Sequence, residues 1–287
     1  MTENDASYRI ITDLLHAHTG QTLAESRRWR IATALSGLFR EFRIENTDQL
    51  ACMLENPGEH RLATKVVEAL LNNETYFFRD PAYFQALAEH VLAELARKRA
   101  AKKRLSIWSA GCSTGQEALS LAMIFDAQKE QWAEWEVEIL GTDISGKAIE
   151  QARRGTYSQF EIQRGLSVTR MIEFFTDSPG GWQAKDCIQR PTRFERHNIL
   201  DHQPASAPFD LILCRNVLLY FDPETRRRAF DSMASALAPD GFLMLGAGET
   251  VIGQTTRFTP SDCGSATYRL VSGGVLSASA SRDRAAA

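Results

Sequence analysis

The sequence predicts a two-part chain: an all-α N-terminal region, then an α/β domain built as a doubly wound, Rossmann-like parallel sheet. Three observations carry this. Apolar residues up to about residue 72 recur at helical spacing and never alternate with polar ones. From Leu105 onward, short apolar runs alternate with helical segments. The first of those runs ends in a glycine turn that opens a helix. Repeated βα units imply a parallel sheet covered by helices on both faces.

The elements follow in order. Within residues 1–72, Ile31, Leu35, Leu38, Phe39 and Phe42 share one helical stripe, and Leu62, Val66, Val67, Leu70 and Leu71 mark another helix. Residues 73–104 read as a linker and connecting helix. Asp80-Pro81 supplies an N-cap and a first helical residue. That helix carries Phe84, Leu87, Val91, Leu92 and Leu95 and dissolves into the basic run 97–104, expected as a solvated end. The α/β domain spans 105–271, with strands over 105–109, 137–141, 209–214 and 242–245 and helices through 118–125 and 148–153. Asp222-Pro223 caps a further helix, and Pro239-Asp240-Gly241 is the turn expected to end it. Between 155 and 200 the pattern is less regular. There the turn Ser178-Pro179-Gly180-Gly181 precedes a run over 182–188 expected as a small hairpin. Residues 272–287 are small and polar and are expected to be a disordered tail.

Composition narrows the function classes. The chain has 287 residues, 44% hydrophobic and 24% charged, enough for a sizeable core. A formal charge of −3 argues against a general nucleic-acid binder. No stretch approaches the ~18 apolar residues of a membrane span, and residues 1–10 lack a signal-peptide apolar run. The expectation is a cytoplasmic protein with no nucleic-acid partner and no membrane insertion. The cysteines number five, without a CxxC pair, which speaks against a zinc site or disulfide framework. Cys112 and Cys214, at strand ends, read as small buried residues. The histidines lack metal-ligand spacing, so no metal is expected, and His197 reads as structural.

The segment Ile107-Trp108-Ser109-Ala110-Gly111-Cys112-Ser113-Thr114-Gly115-Gln116-Glu117 is a strand, a glycine turn and a helix start. Such a turn lets a ligand approach the backbone closely, and the helix start offers free N–H groups. The next strand ends in Gly141-Thr142-Asp143, where an acidic side chain can accept from ribose hydroxyls. The competing role for Asp143 is a helix N-cap. The three-glycine dinucleotide fingerprint is missing. Glu117 would repel a pyrophosphate but suits an ammonium or sulfonium charge. These points favour S-adenosylmethionine over a nicotinamide dinucleotide.

Two further segments sharpen this: Asn72-Asn73-Glu74-Thr75-Tyr76-Phe77-Phe78-Arg79-Asp80, and Phe209–Cys214 continuing through Arg215-Asn216-Val217-Leu218-Leu219-Tyr220-Phe221-Asp222. With the glycine turn and Gly141-Thr142-Asp143, they resemble the CheR family, the chemotaxis receptor glutamate methyltransferases. The resemblance runs from about residue 10 to 270. It departs in one place, Gln116-Glu117, where two acidic residues are common. It implies an S-adenosylmethionine methyltransferase domain, with S-adenosylhomocysteine as product, preceded by a helical domain. It also implies a small antiparallel β-subdomain, placed at about 178–190, where a receptor C-terminal peptide can dock as an added strand. By motif match it implies cofactor contacts from Asn73, Thr75, Arg79, Gly111, Glu117, Asp143, Asn198, Ile199, Arg215 and Asn216. The protein substrate would be the cytoplasmic helices of chemoreceptors. The absence of a helical-repeat extension suggests a stand-alone enzyme.

A glutamate carboxylate is ionised at neutral pH and needs no general base or metal to accept a methyl group. It does need an orienting partner. Arg79 suits it, because a guanidinium matches a carboxylate bidentately, and Tyr220 can add a hydrogen bond. These two are the candidate catalytic residues. The competing roles are pairing of Arg79 with Asp80 or Glu74, and packing of Tyr220 beside Phe221. Phe77 and Phe78 read as core. Arg27, Arg28, Arg30, Arg40 and Arg43 could form a basic docking face or a merely solvated one. Alternatives are a non-catalytic cofactor sensor, a small-molecule methyltransferase and a nicotinamide oxidoreductase.

Overall fold

The computed structural model describes residues 3–56 and 58–271. Helices α1 (Glu3–Thr19), α2 (Trp29–Phe42), α3 (Thr47–Leu54) and α4 (His60–Leu70) form the N-terminal region. They bury Ile11, Leu15, Ile31, Leu35, Leu50, Leu62 and Val66 in a common core. Of the first predicted stripe, Leu38, Phe39 and Phe42 are only half-buried at its edge. Helix α3 starts where Asn46 accepts the N–H of Gln49 at 2.9 Å. Helix α2 ends at Arg43, in the left-handed region at φ 55°.

A rod follows: α5 (Pro81–Ala86), a π-turn over Leu87–Val91, and α6 (Leu92–Arg99). Asp80 does not cap it as expected. Its φ is 62° and its side chain makes no bond to the helix, because the carboxylate is turned to Arg215 instead. The basic run is also not simply solvated. Arg99 bonds Asp210 at 2.6 Å and Asp240 at 2.7 and 2.8 Å, and Lys98 bonds the Asp240 carbonyl. These contacts clamp the rod to Asp210 and Asp240, on two strands in the middle of the sheet.

The α/β part contains β1 (Arg104–Ala110), α7 (Gln116–Ala127), α8 (Lys129–Trp132), β2 (Glu136–Asp143) and α9 (Gly146–Arg154). Next come β3 (Thr156–Tyr157), α10 (Gln159–Gln163), α11 (Val168–Phe174), β4 (Phe175–Ser178), β5 (Gly181–Ala184) and α12 (Asp186–Gln189). The chain closes with β6 (Thr192–Arg196), β7 (Phe209–Cys214), α13 (Pro223–Ala236), β8 (Leu237–Leu245), β9 (Phe258–Pro260) and β10 (Thr267–Leu270).

The large sheet has the order β6-β2-β1-β7-β8-β10-β9. Its first five strands are parallel, and β10 runs antiparallel to both β8 and β9. Strand order reverses at β1, which places the C-terminal ends of β1, β2 and β7 around one crevice. The middle strands are buried on both faces, as their unbroken apolar runs require: Leu211, Ile212, Leu213 and Cys214 of β7 are fully covered. Cys112 and Cys214 are both buried, and burial raises their thiols.

Two expectations are corrected. The small sheet, of order β3-β5-β4, starts at Thr156 rather than near 178, and 186–189 is helical instead of strand. Its hairpin pairs Ser178 with Gly181 around the predicted Pro-Gly turn. The two-residue β3 is too short to leave a periodic signal. Secondly, Pro239-Asp240-Gly241 is not the end of α13. The helix stops at Ala236, and β8 pairs Leu237 with Phe209 and then Phe242 with Leu211, so the Pro-Asp-Gly excursion is a bulge inside the strand. The 272–287 tail lies outside the described residues. Among the described residues no helix is long and apolar enough to cross a membrane.

Candidate functional site

The glycine turn is folded back on the end of β2. The N–H groups of Gly111 and Cys112 both donate to the Thr142 carbonyl at 2.8 Å. Gly111 has φ 78°, and a Cβ there would collide with Cγ2 of Val217, so only glycine fits between this turn and the loop after β7. Ser113 takes φ 51°; its N–H donates to Oδ2 of Asp143 at 2.8 Å, and its hydroxyl to the Asn73 carbonyl at 2.7 Å. Oδ1 of Asp143 accepts the N–H of Ser145 at 2.9 Å. Asp143 is therefore not the helix cap. That place belongs to Ser145, whose hydroxyl accepts the N–H of Ala148. Asp143 instead joins two loops, and burial raises its carboxyl above the usual range. Each oxygen keeps a further lone pair.

Glu68 of α4 completes this half of the site, and sequence reasoning missed it. Its carboxylate takes the Ser145 hydroxyl at 2.6 Å and the Gly146 N–H at 2.7 Å, at the first turn of α9. Nothing local in α4 marks Glu68 apart from other helical acids. Asn73 reaches the Ser145 hydroxyl at 3.4 Å.

The other half is built around Arg215. Its side chain is only 2% exposed. It pairs with Glu117 at 3.0 Å and Asp80 at 2.6 Å, donates to the Arg79 carbonyl at 2.7 Å, and lies 3.9 Å from the Tyr83 ring centroid. Arg215 thus acts as a strut. Glu117 is no lone anion either: one oxygen faces Arg215 and the other accepts the Ser109 hydroxyl at 2.7 Å. Burial raises the Tyr83 phenol, which sits against this cation.

The loop after β7 is nested on a second acid that sequence reasoning missed. Glu249, 9% exposed, accepts the N–H groups of Asn216 (2.8 Å), Val217 (3.0 Å), Leu218 (2.8 Å) and Gly246 (2.9 Å). An available signal was its place after Gly246-Ala247-Gly248, at the carboxyl end of β8. Asn216 holds φ 59° in this nest. The loop then delivers Tyr220, whose hydroxyl accepts from Asn72. The Tyr220 carbonyl accepts both the N–H (2.7 Å) and the hydroxyl (3.1 Å) of Thr22.

Arg79 is held by its Nη1 on the Glu74 carbonyl at 3.1 Å and lies 5.6 Å from the Tyr76 ring centroid. It pairs with neither acid considered for it. Asp80 goes to Arg215, and Glu74 goes to Arg164 at 2.7 Å, which holds the Glu74 carboxyl below the usual range. Phe77 and Phe78 are core, at 0% and 6% exposure. Before α2, the side chain of Arg27 lies outside the described residues, and Arg28 is tied to Asp5 at 2.7 Å and stacked on Tyr8. Arg40 and Arg43 are exposed.

A single cavity at the carboxyl end of the sheet gathers the predicted residues. Asn73, Thr75 and Arg79 line it from the connecting segment, and Gly111, Glu117 and Asp143 from the ends of β1 and β2. Asn198 and Ile199 line it after β6, and Arg215, Asn216 and Tyr220 after β7. His197 lines it too; burial lowers its imidazole, and its Nε2 has no partner among the described residues. Among the described residues no cluster of His, Cys, Asp or Glu could hold a metal.

A glycine turn after the first strand and an acid ending the second, at the switch point of a parallel sheet, define a nucleoside-binding α/β enzyme. Comparison with known proteins makes this specific. Residues 73–267 match the family description "CheR methyltransferase, SAM binding domain". The "Chemotaxis protein methyltransferase" of Vibrio parahaemolyticus is 35% identical over 92% of this chain and 96% of its own length. "Chemotaxis protein methyltransferase 1" of Vibrio cholerae is 34% identical over 92% and 96%, and its namesake from Pseudomonas aeruginosa 33% over 88% and 92%. The chain belongs to the CheR methyltransferase family. It is an S-adenosylmethionine-dependent methyltransferase of chemoreceptors.

Proposed function

We propose that the chain esterifies glutamate side-chain carboxylates on the cytoplasmic helices of chemoreceptors, working in the cytoplasm. One observation carries this reading: Arg79, free of any ion pair among the described residues, shares a cavity with Tyr220, Gly111 and Asp143. The residues present suit the cofactor. Asp143 offers acceptors to a ribose diol, and the glycine turn leaves room for close approach. When bound, the cofactor supplies a methyl group on a cationic sulfur. The chain's task is to hold an already ionised carboxylate in line and to exclude water from it. Arg79 grips the carboxylate as a two-pronged donor, and Tyr220 adds a directed O–H. Neither residue has to move a proton. Charge is neutralised as the methyl passes, so a dry cavity favours transfer.

The helical region would meet the receptor, with the exposed Arg40 and Arg43 on its basic side. A receptor C-terminal peptide would add to the small sheet, whose outer strands β3 and β4 each pair, among the described residues, only with β5. The test is incubation of the protein with methyl-labelled cofactor and receptor-rich membranes, followed by mild base. Base-labile label on receptor bands is expected. Base-stable label, or none on any receptor despite cofactor binding by calorimetry, would overturn the reading.

A further inference from the structure

We infer that Asn72 is a positioning residue that aims the Tyr220 hydroxyl at the substrate carboxylate. The inference rests on the role proposed above for Tyr220. Asn72 follows the end of α4 and lines the same cavity. Its amide Nδ2 donates to the Tyr220 hydroxyl oxygen.

The direction of that bond matters. A phenol has one proton to give and lone pairs with which to accept. A donor at position 72 occupies a lone pair and leaves the proton for another acceptor. An ionised carboxylate can only accept, so it needs that proton presented to it. An acceptor at position 72 would take the proton for itself. Accepting one hydrogen bond also polarises the O–H toward giving the next.

The rest of Tyr220 is fixed independently. Thr22 holds its carbonyl with two donors, and Glu249 nests the backbone of residues 216–218 just before it. These contacts set where the backbone of Tyr220 stands. They do not set where the hydroxyl proton points, and Asn72 makes the one side-chain contact at that oxygen among the described residues. The helical region thereby contributes to the chemistry as well as to docking.

The experiment compares Asn72→Leu, Tyr220→Phe and the double variant in receptor methylation, with cofactor affinity and thermal midpoint measured for each. Leucine matches asparagine in size and has no donor. Tyr220→Phe is expected to lower kcat about tenfold, as loss of one directed hydrogen bond to a charged acceptor. Asn72→Leu is expected to lower kcat about three- to fivefold with cofactor Kd unchanged. The double variant should match Tyr220→Phe, because Asn72 acts only through the phenol. Asn72→Ala, the smaller change, should behave as Asn72→Leu does. Wild-type kcat in both Asn72 variants beside an impaired Tyr220→Phe would overturn the inference and leave the role of Tyr220 standing. So would an Asn72 effect repeated in full in the Tyr220→Phe background, or one confined to cofactor Kd. A Tyr220→Phe enzyme with normal kcat would overturn the role of Tyr220 and the inference together.

Discussion

The two halves of the cavity are held by different means. On the β1–β2 side, two backbone hydrogen bonds join the glycine turn to the end of β2, and the Asp143 carboxylate takes the N–H groups of Ser113 and Ser145. On the β7 side, the N–H groups of residues 216–218 go to the Glu249 carboxylate instead of to a strand carbonyl. The loop is held further by the buried guanidinium of Arg215 against Glu117 and the half-buried Asp80, and by Thr22 and Asn72 from the helical region. The two backbone bonds of the β1–β2 half do not depend on any one side chain. A half made by long-range polar contacts depends on each partner being present, so single substitutions should cost more there.

The largest effect expected is on Arg79→Ala. Loss of the cationic grip on a carboxylate should lower kcat by about a hundredfold or more, with the fold retained by circular dichroism. Normal turnover would remove Arg79 from the chemistry. Next comes Glu249→Gln. Its NH2 group would face N–H donors where a carboxylate oxygen now accepts, costing about 2–3 kcal/mol in urea unfolding. A cost below about 0.5 kcal/mol would show that other contacts hold the β7 loop. Gly111→Ala should be milder, about 1–2 kcal/mol, from the positive φ and the collision with Val217. An equal or greater loss than at Glu249 would reverse the contrast between the halves.

The smallest effect is a pH dependence. Burial raises the Asp143 carboxyl, so it protonates earlier on acidification than a free aspartate does. Protonation removes an acceptor for the ribose, so cofactor affinity should fall on acidification, starting above the pH range in which a free aspartate protonates. Calorimetry at falling pH checks it, and Asp143→Asn should flatten the curve. A flat curve in the unaltered protein would mean that Asp143 meets the cofactor through its backbone alone.

The same contrast explains what could be read from the sequence. Strand and turn patterns exposed the glycine turn, Asp143 and the parallel order, because strand ends and their loops are written locally. Arg79 and Tyr220 were reached through motif resemblance. Asp80 was assigned to a local cap because Asp-Pro is a good helix start, yet a buried guanidinium from 135 residues away took its carboxylate. Glu68 and Glu249 were missed because the N–H and hydroxyl groups they hold are brought together only in the folded chain, although the glycines before Glu249 were a signal. The bulge at Pro239 and the two-residue β3 were missed for another reason: short or interrupted strands leave no period to detect.

Several ties between the helical region and the sheet sit on the active-site side: Glu68 on α9, Asn72 on Tyr220, and Thr22 on the same tyrosine. A single bridge between Gln21 and Phe221 and the contact of His16 with Asp222 lie beside them. The outer face of α2 carries none of these ties. With the helical region meeting the receptor as proposed above, changes of receptor preference on that outer face can accumulate without disturbing methyl transfer. Grafting the whole helical region from a relative would instead reset the tyrosine along with the preference, and the two traits would pass together.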